Sequence, residues 1–145
     1  MKKYYPEILV GIRLIFIAMI LLTAPVFNHL NAWLFLEILG IILAAWAFYE
    51  IKSGNINIRP VVKKDAVLIT SGPYRWVRHP MYLATLLVMI ALIGEYFSYI
   101  RLTFLFALLI VIVVKMSFEE KELMKHFSTY TDYIKKSKRL IPFIY

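Results

Sequence analysis

The sequence contains no cysteine and few glycines. Without cysteine the chain can form no disulfide, no thiolate nucleophile and no cysteine-ligated zinc site. The five glycines never approach the G-x-G-x-x-G spacing of dinucleotide-binding loops, since they stand at Gly11, Gly40, Gly54, Gly72 and Gly94. A Rossmann-type nucleotide site is therefore not expected. The three histidines are too scattered to predict a metal site.

Charge is also scarce: 18% of the 145 residues are charged, whereas 61% are hydrophobic. A soluble domain of this size could not bury so much apolar surface. The net charge of +8 could indicate nucleic acid, but the basic residues lie beside apolar runs. That placement favours membrane topology and contact with anionic lipid. The composition predicts one integral membrane domain over residues 1–145, with the bilayer as partner and no nucleic acid or metal.

Four apolar stretches predict the fold. Residues 8–27 and 32–51 are each long enough to cross a bilayer core, which takes about 20 residues. Two shorter runs follow between Met81 and Met116, separated by an aromatic turn. We expect an all-α membrane protein with about four transmembrane helices, the last two forming a C-terminal hairpin. A shallow re-entrant pair is the alternative for 81–116. Residues 1–51 then hold two spans, and 52–145 hold a loop, the hairpin and a tail.

The basic residues also predict orientation. They cluster at Lys2 and Lys3, in the loop 52–79, and from Lys115 onward. By the positive-inside rule, both termini and the loop are expected to be cytoplasmic.

Arg13 lies inside the first predicted span. We expect its side chain to reach back to the nearby membrane surface. If consecutive spans are antiparallel neighbours, Glu50 rather than Glu37 lies at its depth and is the expected ion-pair partner.

One polar segment precedes the third apolar run. It reads Gly72-Pro73-Tyr74-Arg75-Trp76-Val77-Arg78-His79-Pro80-Met81-Tyr82. Pro80 suits the first turn of a helix, where its missing N–H is not needed. Arg78 and His79 then lie at a helix N-terminus, where free backbone donors and the helix dipole favour an anionic group such as a carboxylate. The alternative is that the arginines of this segment only anchor the helix to lipid headgroups.

A pair of acidic residues, Glu119-Glu120, follows the predicted hairpin. Alone it would be read as a solvated pair. Together with the Arg-His-Pro-x-Tyr segment, it closely resembles the signature of the isoprenylcysteine carboxyl methyltransferase family and its phospholipid methyltransferase relatives. The resemblance covers roughly residues 57–145.

The resemblance implies a small membrane enzyme that transfers a methyl group from S-adenosylmethionine to a lipid-like or lipidated acceptor. It implies that Glu119 pairs with the cofactor's ammonium, and that the cytoplasmic loop and tail bind the cofactor. The candidate cofactor-binding residues are Leu68, Ile69, Tyr74, His79, Pro80, Met81, Tyr82 and Glu119. Arg78 and Lys115 are the candidate catalytic residues.

Lys115 departs from the family pattern, because it stands where the prenylcysteine enzymes have an arginine near the substrate carboxylate. A lysine lacks the bidentate fork of arginine, so carboxylate, amine and thiol acceptors all remain open. Two other functions also remain open. The tail from Lys138 to Tyr145 resembles the C-terminus of sterol and steroid reductases that use NADPH, and the chain could also be a non-catalytic membrane scaffold.

Overall fold

The computed structural model describes residues 5–23, 32–55, 67–142 and 144. The elements in chain order are α1 (Tyr5–Thr23), α2 (Ala32–Asn55), a 3-10 helix (Gly72–Arg75), α3 (Pro80–Glu95), α4 (Tyr99–His126) and α5 (Tyr130–Lys136). Within these ranges no β-strand forms, and one isolated parallel bridge joins Val77 to Lys138. The prediction of an all-helical fold is confirmed.

Among the residues that the structure describes, two helices are long and apolar enough to cross a membrane: α2 over Ala32–Ile51, and α4. Helix α3 has 16 residues, about 24 Å at 1.5 Å per residue, which is short of the roughly 30 Å hydrocarbon core. The arrangement of four spans with cytoplasmic termini stays a prediction. Several segments on which this prediction depends lie outside the described residues. They are the basic residues at positions 2 and 3, the link 28–31 and most of the loop before residue 67.

The helices pack mainly in two pairs, α1 along α4 and α2 along α3. Gly40 permits the second pairing, since a Cβ at this position would lie 2.7 Å from Cγ2 of Val88 and 3.0 Å from the carbonyl oxygen of Ala84. Small residues at such contacts let helix backbones approach closely, as is common in membranes.

Apolar side chains fill the interior and also cover the outside. The buried cluster draws on α1, α3, α4 and the tail, and its largest fully buried members are Ile20, Leu92, Leu108, Ile112 and Met116. Exposed apolar side chains include Ile15, Leu22, Phe35, Ile42, Phe106 and Ile110. Helices that are apolar on every side are typical of a bilayer environment.

The helix pair expected between Met81 and Met116 is present as α3 and α4, joined by three residues from Tyr96 to Ser98. Arg101 fixes this turn to the end of α1. Its guanidinium donates to the carbonyl oxygens of Tyr96 and Thr23 and, over 3.1 Å, to the Thr23 hydroxyl.

The expected ion pair between Arg13 and Glu50 does not form. Glu50 accepts a hydrogen bond from the Ser71 hydroxyl, whereas the Arg13 guanidinium lies 5.2 Å from the ring centroid of Tyr82. The prediction was wrong because it placed consecutive helices side by side. In the structure α1 packs mainly along α4, and α2 along α3.

Candidate active site

The segment before α3 bends sharply to bring the Arg-His-Pro residues inward. Gly72 has φ +54°, a conformation that favours glycine, and a Cβ there would also lie 2.6 Å from the Glu50 carboxyl group. The 3-10 helix follows, and α3 begins at Pro80 with His79 as its N-cap. The prediction that Pro80 opens the helix is confirmed.

The C-terminal tail runs beside this segment. The backbone N–H groups of Arg78 and His79 donate to the carbonyls of Lys138 and Arg139 over 2.8 and 3.2 Å, and the N–H of Lys138 donates to Trp76 over 2.9 Å. These two backbone amides are therefore bound to the tail. The expectation that an anionic group binds at the N-terminus of α3 stays a prediction.

Glu120 lies at the centre of a buried ionic network. Its Oε1 accepts a hydrogen bond of 2.8 Å from Nε of Arg78 and lies 3.3 Å from Nε2 of His79, while Oε2 lies 3.2 Å from Nε of Arg139. Arg78 also donates to the Ser137 carbonyl over 2.5 Å. These contacts tie α4, the Arg-His-Pro segment and the tail together. Arg78 thus has a positioning role, and its contact with reacting atoms stays a prediction.

Glu119 points to a different set of partners. Its Oε1 accepts a hydrogen bond of 2.8 Å from the Tyr82 hydroxyl and lies 3.3 Å from Nζ of Lys115. Its Oε2 lies 3.7 Å from Nδ1 of His79, whose ring stacks on Tyr82 with centroids 5.6 Å apart. The Glu119 side chain is 21% exposed, against 12% for Glu120. Glu119 is therefore the carboxylate of the pair that a ligand can reach more easily.

Two cations lie against the ring of Tyr82. Lys115 Nζ is 5.5 Å and the Arg13 guanidinium 5.2 Å from its centroid, both within cation–π range. Sequence reasoning treated Arg13 as a surface anchor and missed its place in the site. The signal that could have found it was an ionisable residue within an apolar helix.

The remaining predicted cofactor residues differ in burial. Leu68 and Ile69 lie half-buried in the irregular segment before Ser71, Pro80 is buried, and Met81 is exposed. Burial raises the pKa of the half-buried Tyr74 hydroxyl above its usual value. Within the ranges that the structure describes, no group of three or more potential ligands could hold a metal ion.

A model of the phospholipid methyltransferase family matches residues 27–131. The match spans most of the chain, including Arg78, His79 and both glutamates, and the chain belongs to this family. No curated protein shows a significant match to the chain. Family membership makes the protein a membrane-associated methyltransferase, and it does not favour the reductase alternative. Helix α1 and the tail beyond residue 131 lie outside the matched segment.

Proposed function

We propose that the protein transfers a methyl group from S-adenosylmethionine to a lipid-like or lipidated acceptor at the membrane. The observation that carries the proposal is the pair of adjacent glutamates with separate partners. Glu120 is enclosed by Arg78, His79 and Arg139, whereas Glu119 remains partly open beside Tyr82. Such a division supports Glu120 as a structural residue and Glu119 as a ligand-binding one.

The side chains present fit the polar end of S-adenosylmethionine. Among the described residues, Oε2 of Glu119 has one long contact of 3.7 Å, to His79. A carboxylate oxygen can accept two hydrogen bonds. An ammonium group suits this position. We assign the remaining polar groups of the donor to His79, Tyr82 and the backbone of Pro80 and Met81. We assign Tyr74, Leu68 and Ile69 to the lining of the pocket that binds the nucleoside part of the donor.

When bound, S-adenosylmethionine supplies an electrophilic methyl group, and the transfer needs no metal or covalent enzyme intermediate. The protein must contribute position and electrostatics. The Tyr82 hydroxyl and the Lys115 amine hold Oε1 of Glu119 in place. The Glu120 network fixes His79, which contacts both glutamates. These residues therefore orient the donor. Lys115 is buried, and we assign it to the acceptor.

Binding measurements with two cofactors test this function. The chain, purified in a neutral detergent, should bind S-adenosylmethionine and not NADPH in isothermal titration calorimetry. Membranes containing the chain should then transfer label from methyl-labelled S-adenosylmethionine to a lipid-soluble product, whose identity gives the acceptor atom. Binding of NADPH alone would favour the reductase, and binding of neither would favour the scaffold.

A further inference from the structure

Arg13 is an ionisable residue in a helix whose outer surface is apolar. The residues around it on α1 include exposed Ile8, Ile12, Leu14 and Ile15. A charged side chain in such a helix is costly, and those that occur usually face the bundle interior and mark a ligand or ion site. Arg13 follows this pattern, because its guanidinium contacts the buried Tyr82 of α3.

The contacts of Arg13 do not neutralise its charge. Within the described part of the chain it forms no ion pair, and its buried Nε donates no hydrogen bond. Other arginines near the helix ends differ: Arg78 binds Glu120 and tail carbonyls, and Arg101 binds carbonyls at the hairpin. A structural arginine has such acceptors. For Arg13, the contact found among the described residues is the ring face of Tyr82, which leaves its Nε available to an acceptor.

The charges around Tyr82 do not balance either. Lys115, 4% exposed, lies over the same ring as Arg13. Among the described residues, Glu119 is the carboxylate that contacts Tyr82 and Lys115, and Glu120 is engaged with Arg78. Two cations thus lie against one ring, and Lys115 is the one that contacts a carboxylate. In a poorly hydrated place such like charges repel more strongly than in water. A second anionic group would remove this imbalance.

We infer that Arg13, together with Lys115, binds an acidic group of the acceptor, a carboxylate or a phosphate, and so determines which acceptors are used. The planar guanidinium matches either group with two parallel hydrogen bonds. The apolar outer faces of α1 and α4 suit the hydrocarbon part of such a molecule. That the bound molecule is a methyl acceptor rests on the proposed function, whereas binding of its acidic group does not require the methyl donor.

Three probes of equal chain length test the inference: hexadecanoate, hexadecyl phosphate and hexadecanol. Native mass spectrometry of the chain in neutral detergent should show at least about tenfold tighter binding of one or both acids than of the alcohol. Arg13→Gln should remove this preference, a loss of roughly tenfold or more expected for a hydrogen bond to a charged group. Comparison of the two acids shows whether a carboxylate or a phosphate is preferred.

Lys125→Gln is the matched control, since Lys125 is an exposed cation on α4 that pairs with Glu122. It should leave the preference unchanged. The wild-type chain offers a second measurement in case Arg13→Gln does not fold. The acid should protect Arg13 from phenylglyoxal, an arginine-selective reagent, in peptide mapping, and hexadecanol should not.

Equal binding of acids and alcohol, or a preference that survives Arg13→Gln, would overturn the inference. Equal labelling of Arg13 with and without the acids would do the same. These results are independent of S-adenosylmethionine binding. A chain that binds the methyl donor but shows no acid preference refutes only the inference, and one that binds acids but no methyl donor refutes only the proposed function.

Discussion

Glu119 and Glu120 are adjacent in sequence, yet the same change to glutamine should damage different properties of the protein. Glu119→Gln removes the charge of the partly open carboxylate that contacts Tyr82 and Lys115. Glu120→Gln removes the charge at the centre of the network of Arg78 and Arg139. The first change should weaken cofactor binding, and the second should weaken the attachment of the tail.

The magnitudes follow from the environment of each carboxylate. A hydrogen bond to a charged group contributes about 1.5–3 kcal/mol, so Glu119→Gln should raise the Kd for S-adenosylmethionine about 10- to 150-fold. Breaking a buried ion pair costs about 3–5 kcal/mol. Because the Glu120 side chain is 12% exposed, Glu120→Gln should lower the free energy of unfolding by about 3 kcal/mol, the low end of that range.

Two assays on the same samples separate these effects. Calorimetry gives the Kd for S-adenosylmethionine, and thermal unfolding in detergent gives Tm. Glu122→Gln is the control, since Glu122 forms an ion pair with the exposed Lys125 on the same helix, and it should change neither value by much. Similarly small changes in Kd and Tm for Glu119→Gln and Glu120→Gln would refute the division of roles. They would indicate that both glutamates are solvated surface residues.

Three further outcomes are expected. Gly72→Ala should lower Tm, since a non-glycine residue at positive φ costs about 1–3 kcal/mol and the added Cβ would displace the Glu50 side chain; an unchanged Tm would contradict the observed turn. In a double-mutant cycle of kcat/KM, His79→Ala with Glu119→Ala should cost less than the sum of the single changes, because both hold one ligand; strict additivity would argue against a shared site. Reporters fused after Lys64 and His29 should score cytoplasmic and external, respectively, and a cytoplasmic score at His29 would rule out four spans.

Local signals in the sequence were sufficient for several elements. Apolar runs of suitable length indicated the helices, and Pro80 after a turn-forming segment indicated the start of α3, as observed. The Arg-His-Pro-x-Tyr segment and the Glu119-Glu120 pair indicated the family, which the match over residues 27–131 confirms. These features depend on neighbouring residues, and neighbouring residues are what a sequence shows directly.

The separate surroundings of the two glutamates were only partly predictable. Adjacent residues of a helix point about 100° apart, and the family resemblance implied a ligand-binding role for Glu119 of the pair. The sequence did not indicate that Glu120 would be enclosed, because its partner Arg139 lies in the tail and Arg78 before α3. The hydrogen bonds from the amides of Arg78 and His79 to the tail were not predictable either, because they join segments about 60 residues apart along the chain.

The position of Arg13 depends on which helices are neighbours, and hydropathy does not give that information. A helix that is apolar on every side has no preferred face, so chain order was the available guide, and it wrongly paired Arg13 with Glu50. The structure places α1 along α4, and this pairing brings Arg13 and Lys115 within cation–π range of the same Tyr82 ring. Since α1 precedes the segment that matches the family, the residues that we assign to the methyl donor and the residue that we assign to acceptor choice lie on different parts of the chain. Acceptor preference can then change through α1 while Glu119 and His79 keep their contacts.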